Sequence, residues 1–310
     1  SEPSGPRAAE LARRRESVRR VEAKFAAARP LPILPGGPSP VPLGHLSYSS
    51  LDAYKRCAYR FYVERVLGVG AGMLSPPARN GNGDDPPQAR AASPALALGN
   101  AVHSALEWSA RNGWARPDEA RVGALLEHEG ASVEQVTRAS GLIDAWLGSE
   151  LRASIAGMGL RAEAPFVLPV AGTVLRGSID LLAAMPEGPL VIDFKTDRLD
   201  GSTTAALGER YASQRAIYAL AAATRAGASQ VRTAHVFLER PEDPVLEAFG
   251  PDDLDRARRR LEGIVAGIRA GDFEPTPEPS ASLCLGCPAA ARLCPHPMWR
   301  PDRHAAIAVR

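Results

Sequence analysis

The spacing of apolar positions changes period along this chain, and each change predicts a different element. In "SYSSLDAYKRCAYRFYVERVLG", beginning at Leu46's neighbour Ser47, an apolar stripe through Leu51, Tyr54, Tyr62 and Leu67 predicts one helix. Ser49 is its expected N-cap, with Asp52 three residues on, and Gly68 its stop. Residues 70–94 are poor in apolar side chains and rich in Gly, Pro and Asn, the composition of a mobile loop. Helical spacing resumes in "LALGNAVHSALEWSA" and continues in patches to about residue 157.

From Arg161 the period shortens. Three strand-like runs, "AEAPFVLPV", "TVLRGSIDLLAA" and "PLVIDFKT", are separated by Ala-Gly and Met-Pro-Glu-Gly turn signals. A helix from about Gly208 to Arg225 follows, then strands "VRTAHVFLE" and "PVLEAFG", then a helix from Asp252 to Ala270. Helices flanking a central mixed β-sheet predict an α/β or α+β fold.

With 310 residues and 45% hydrophobic content, the chain is long enough to bury a large core. Residues 1–45 read differently. An arginine-rich helix to about residue 29 is followed by "PLPILPGGPSPVPLG", a linker that cannot be helical. This segment belongs either to the main domain or to the end of an upstream one, a choice the initial Ser leaves open, and residues 301–310 are expected to be a tail. No apolar run approaches the roughly 18 residues of a membrane span, and no signal-peptide core follows the basic start. The chain is therefore expected to be cytoplasmic, with no membrane partner.

A net charge of +2 is too mild to demand a nucleic-acid partner, although Arg13 to Arg15 and Arg258 to Arg260 would suit phosphates. Nothing matches G-x-x-x-x-G-K-[ST], so ATP hydrolysis is not expected. Lysine is scarce: of 37 basic residues only Lys24, Lys55 and Lys195 are lysine. Lys195 stands inside an apolar strand, where a compact ammonium has chemistry that a guanidinium lacks.

That strand raises the central question. A hairpin centred between Pro186 and Glu187 places Asp180 opposite Asp193, and like charges directly paired across strands are destabilising. A divalent cation between them reverses the sign. Alternation puts Asp193 and Lys195 on one face and Phe194 on the other. Hard oxygen ligands suit Mg2+ or Mn2+, and Lys195 would then orient a nucleophile or meet developing charge. From these three residues alone, a solvated Asp-Lys pair on an edge hairpin is an equal reading. His103 and Glu107 share a helix face four residues apart, as do Gln214 and Tyr218.

The four cysteines form a second constellation. Cys57 stands alone, while Cys284, Cys287 and Cys294 follow a C-x2-C-x6-C pattern. In a cytosolic chain this reads as a metal site rather than as disulfides. Four thiolates suit structural Zn2+ or an iron-sulfur cluster, and spacing alone does not choose between them.

"GNAVHSALE", "AEAPF", "GSIDLL", "VIDFKT" and "QRAIYAL" occur in the order seen in RecB-like nucleases of the PD-(D/E)xK superfamily, and the resemblance covers roughly residues 46–300. It implies a restriction-endonuclease-like core. It also implies that His103, Asp180 and Asp193 ligate the metal with the Phe194 carbonyl, that Lys195 is the catalytic lysine, and that Gln214 and Tyr218 support the site. Glu163 and Glu107 are further candidates. One cysteine upstream and three downstream resemble the AddB-type branch, whose nuclease domains carry a [4Fe-4S] cluster closing a loop of more than two hundred residues. The last cysteine gap is one residue longer than in the best-known members, which leaves His296 as a reserve ligand.

The resemblance implies a metal-dependent nuclease acting on single-stranded DNA, as the C-terminal piece of a helicase-nuclease in recombinational repair. Three alternatives remain at this point. They are an inactive module binding DNA or a helicase, a stand-alone CRISPR-adaptation-type nuclease, and a zinc-stapled interaction domain.

Overall fold

The computed structural model describes residues 16, 45–69, 94–284, 287–289 and 293–294. Two compact units divide the chain, Ser1–Ser39 and Pro40–Arg310, and only Glu16 of the first is described. The expected N-terminal helix and linker, the 70–94 loop apart from Pro94, His296 and the 301–310 tail lie outside the described residues.

The first predicted helix is broken. Helix α1 (Tyr48–Arg56) is capped by Ser47 rather than Ser49, because the extended Ser47 turns its hydroxyl to the Ser50 amide at 3.1 Å. Cys57 then leaves helical geometry, with φ −160° and ψ 104°. Its amide still closes α1 onto Ala53, while its sulfur accepts from the Arg60 amide and so starts α2 (Ala58–Phe61). A π-helical turn, Tyr62–Val66, ends at Gly68 with φ +67°. Leu67, placed on the predicted apolar stripe, is half exposed instead.

Helices α3 (Pro94–Arg111), α4 (Glu119–His128), α5 (Val136–Leu147) and α6 (Glu150–Ser154) precede a sheet of β1 (Gly159–Val170), β2 (Thr173–Met185) and β3 (Gly188–Lys195). The helix expected from Gly208 is split into α7 (Thr204–Gly208), a 3-10 turn at Glu209–Tyr211 and α8 (Ala212–Ala226). Strands β4 (Val231–Phe237) and β5 (Val245–Phe249), α9 (Pro251–Ala270) and α10 (Ala281–Cys284) complete the order. The sheet runs β1-β2-β3-β4-β5, with only β3 and β4 parallel. A parallel pair needs a crossover, which α7 and α8 provide. This is the predicted mixed sheet flanked by helices.

Each sheet face carries its own core. Leu98, Val102 and Leu106 recur at helical spacing on α3 and pack with Trp146, Ile192, Phe194 and Val236. On the other face Val191 meets Leu220 of α8 and Val265 of α9. Because side chains alternate along β3, Phe194 buries itself against Trp146, ring centroids 4.8 Å apart. Asp193 and Lys195 are thereby turned toward the α8 side.

β1 changes allegiance along its length. Leu160 and Ala162 belong to the α3–α5 core, whereas Ala164, Phe166, Leu168 and Val170 belong to the other. Glu163, between them, has φ +44°, a conformation that costs a side-chain-bearing residue of order 1–3 kcal/mol. The hairpin therefore bends at Glu163, and the bend positions the site.

Candidate active site

The hairpin register is the one read from the sequence. Pairs run from Met185↔Gly188 to Leu181↔Ile192, so Asp180 and Asp193 come next, and there the β2–β3 ladder stops. On the β1 side the ladder likewise skips Glu163 and Asp180 between Ala162↔Leu181 and Ala164↔Ile179. At this fork Asp180 substitutes its side chain for the missing backbone partner: Phe194 N–H donates to Asp180 Oδ2 at 2.7 Å.

Helix α3 brings His103 to the same fork. Its apolar stripe is buried, so the neighbouring stripe of Gly99 and His103 faces the end of β3. A Cβ on Gly99 would lie 3.1 Å from Thr196 Oγ1, a contact closer than side chains normally tolerate. His103 Nδ1 lies 3.4 Å from Asp180 Oδ2. One ligand atom each from His103, Glu163 and Asp180 fall within 4.8 Å of one another. Glu163, a subsidiary candidate in the sequence, thus joins the closest metal-competent group.

Asp193 lines the same cleft, about 480 Å3 in volume, but its carboxylate faces Lys195, whose Nζ is 2.5 Å from Oδ2. No grouping within that 4.8 Å limit includes Asp193 among the described residues. Lys195 Nζ also donates to Gln214 Oε1 at 2.8 Å, and Gln214 Nε2 donates to the Tyr218 hydroxyl at 3.0 Å. Gln214 and Tyr218, four apart on α8, thus form a relay ending at the lysine. Glu107 lies one turn beyond His103, pairs with Arg111, and is absent from the cleft lining.

The electrostatics follow from these pairings. Burial alone would raise Asp180, but His103 and the Phe194 amide hold it below the usual carboxylate range. Burial also opposes charge on His103, yet Asp180 wins and lifts the imidazole to about 9. Asp193 is pushed up to about 6 by burial, against the pull of Lys195 and with help from the Asp180 charge. Burial raises Glu163 as well.

Three residues here were not singled out by sequence reasoning. The Tyr211 ring lies under Lys195 Nζ at 4.1 Å to its centroid, and its hydroxyl donates to Asp197 at 3.0 Å. His235 is the Cα partner of Asp193 across the β3–β4 pair. A parallel pairing of "VIDFKT" with "RTAHVF" was the signal available, but the crossover between them hides its register.

The cysteines converge at a separate pocket. Cys57, Cys284, Cys287 and Cys294 all line it, together with Tyr59 and Arg60. The Tyr59 hydroxyl donates to the Leu293 carbonyl at 2.7 Å and Arg60 to the Leu283 carbonyl at 2.6 Å, fastening α2 to the C-terminal segment.

The gene 69 protein of Mycobacterium phage L5 is 30% identical over 122 residues, covering 38% of this chain and 39% of that protein. The chain therefore spans well under half of that relative. A protein of Eubacterium rectale, provisionally assigned as an exonuclease, superposes with a TM-score of 0.47 at 14% identity, covering 79% of this chain and 87% of that one. The family model of the PD-(D/E)XK nuclease superfamily matches residues 45–295, which include both strands of the acidic hairpin, α3 and all four cysteines. The chain belongs to the PD-(D/E)XK nuclease superfamily.

Proposed function

We propose that this chain is a Mg2+- or Mn2+-dependent deoxyribonuclease acting on single-stranded DNA, with exonuclease action favoured. The observation that carries the reading is the convergence of His103, Glu163 and Asp180 in a cleft that also holds Asp193 and Lys195. Two acids, an imidazole and a carboxylate-paired ammonium fit a hard divalent cation better than a soft one. Such a cation, when bound, neutralises the scissile phosphate and acidifies the attacking water. His103, Glu163 and Asp180 would hold it, with Asp193 and the Phe194 carbonyl completing the set.

The chain's own residues supply the rest. Lys195, steadied by Gln214 and the Tyr211 face, orients the attacking water or meets charge developing on a phosphate oxygen. Tyr218 keeps the Gln214 amide turned so that its oxygen, not its nitrogen, faces the lysine. Burial of Asp193 keeps the Asp193–Lys195 pair in low-dielectric surroundings, where the field of each charge is stronger than in bulk water.

A [4Fe-4S] cluster on Cys57, Cys284, Cys287 and Cys294 is the second part of the proposal, and its role is structural. What supports a shared site is that all four cysteines line one pocket; four thiolates suit structural zinc or an iron-sulfur cluster, and the resemblance favours the cluster. The cysteine arrangement also supports an AddB-type nuclease working beside a helicase domain or subunit in recombinational repair.

Labelled single-stranded DNA incubated with Mg2+ tests the enzyme reading. Cleavage that EDTA and Asp193→Ala abolish is the expected result. DNA retained but uncut under all conditions would replace it with a binding module. Anaerobic purification tests the cluster, which absorbs broadly near ~400 nm where zinc is colourless.

A further inference from the structure

His235 is among the least exposed polar residues of the fold, at 1%, and among the described residues neither of its ring nitrogens has a hydrogen-bond partner. Buried imidazoles are normally satisfied, so such a group needs a reason. Asp193 Oδ2 lies 3.6 Å from His235 Nε2, just beyond hydrogen-bond reach. The partner of Asp193 Oδ2 is the Lys195 ammonium, at 2.5 Å.

An imidazole can offer an N–H to the carboxylate it lies behind, and His235 stands directly across the strand pair from Asp193.

We propose that His235 is a positioning residue for Asp193, placed behind the carboxylate to take over Oδ2 by hydrogen bond when Lys195 turns to substrate. The inference rests on the metal-dependent nuclease reading of the same cleft. In the absence of substrate, Lys195 occupies Oδ2 and the imidazole waits within a few tenths of an ångström of contact. Once the ammonium leaves, a buried carboxylate oxygen with no donor would swing toward one, and His235 is the donor directly across the strand pair. Asp193 thereby keeps one orientation toward the cation site throughout the cycle.

This role predicts effects of opposite sign on stability and on metal binding. Removing two unpaired buried nitrogens should not weaken the fold, whereas losing the donor should weaken the hold on a cation. The full chain is titrated with Mn2+ by water-proton relaxation, alone and with a cleavage-resistant phosphorothioate single-stranded DNA, and melted in EDTA, as wild type, His235→Leu, His235→Phe, His235→Gln and Asp180→Asn. The expected result is that the Leu and Phe variants melt at or above wild type and, with the DNA present, bind Mn2+ about tenfold more weakly. His235→Gln, which keeps a donor near the Nε2 position, should restore affinity to within about threefold.

Wild-type Mn2+ affinity in both apolar variants with the DNA present would overturn the inference while leaving the nuclease reading intact. Failure of both apolar variants to fold would also overturn it, because the ring would then be serving the core. Mn2+ binding that is absent from wild type, or indifferent to Asp180→Asn, would overturn the metal reading and this inference with it.

Discussion

Phe194 and Asp180 are joined by a hydrogen bond of 2.7 Å in which a backbone amide of β3 donates to a side-chain carboxylate of β2. The bond occurs one pair beyond the end of the β2–β3 ladder, so the acid closes the fork that its own strand opens. Asp180 therefore has a structural duty besides its proposed ligand role. Asp180→Ala is expected to lower stability in EDTA by about 1.5–3 kcal/mol, the range for hydrogen bonds to charged groups. Asp180→Asn keeps an acceptor for the amide and should lose less. Both should fail to cut DNA, and denaturant melts with matched cleavage assays separate the two duties.

His103 is lifted to about 9 from an unfolded value near 6.5, chiefly because Asp180 outweighs its burial. A raised histidine contributes stability that is complete below the unfolded pKa and is lost as pH climbs through the folded one. In EDTA the melting gap between wild type and His103→Gln should be widest near pH 6 and should close by about pH 9.5. A gap that is flat across this window would contradict the His103–Asp180 pairing.

Asp193 stands at about 6 with burial raising it and Lys195 lowering it. In EDTA, Asp193 is expected to take up its proton as pH drops through about 6. Lys195→Met removes the lowering influence, so this uptake should move to higher pH. Carboxyl titration of the metal-free protein by infrared difference spectroscopy measures this directly, and a step that stays put would mean another group governs it.

Glu163 holds φ +44° at the bend of β1. Glycine adopts that conformation without the Cβ penalty, whereas alanine retains it. Glu163→Gly should therefore be more stable than Glu163→Ala by about 1 kcal/mol, with both weakened in Mn2+ affinity. Equal melts for the two variants would show that the strain is not stored at this residue.

Cys57 caps two helices and faces the other three cysteines. Cys57→Ala should bleach the chromophore and lower the melting temperature while leaving the Asp180–Phe194 bond and Mn2+ affinity intact. Unchanged melting with unchanged colour would remove the staple from the account.

Much of the site was legible in local pattern. Met-Pro-Glu-Gly set the turn, the turn set the register, and a period of two put Asp193 and Lys195 on one face with Phe194 on the other. The helical stripe of α3 likewise announced which side of it would be free to carry His103. Glu163 was harder to weigh, since alternation says which face a residue takes and not where its strand bends.

What the sequence determined by itself is what neighbouring residues decide together: the hairpin, its register, the alternation of its faces and the pairing of Gln214 with Tyr218 along one helix. The tertiary structure alone decided where β1 bends, that Cys57 interrupts its helix, and that His235 lies behind Asp193. The physical reason is separation along the chain. Turns and periodicities are fixed by sterics and burial within a few residues, whereas β3 meets β4 only after a crossover helix, and no local preference carries the register across it.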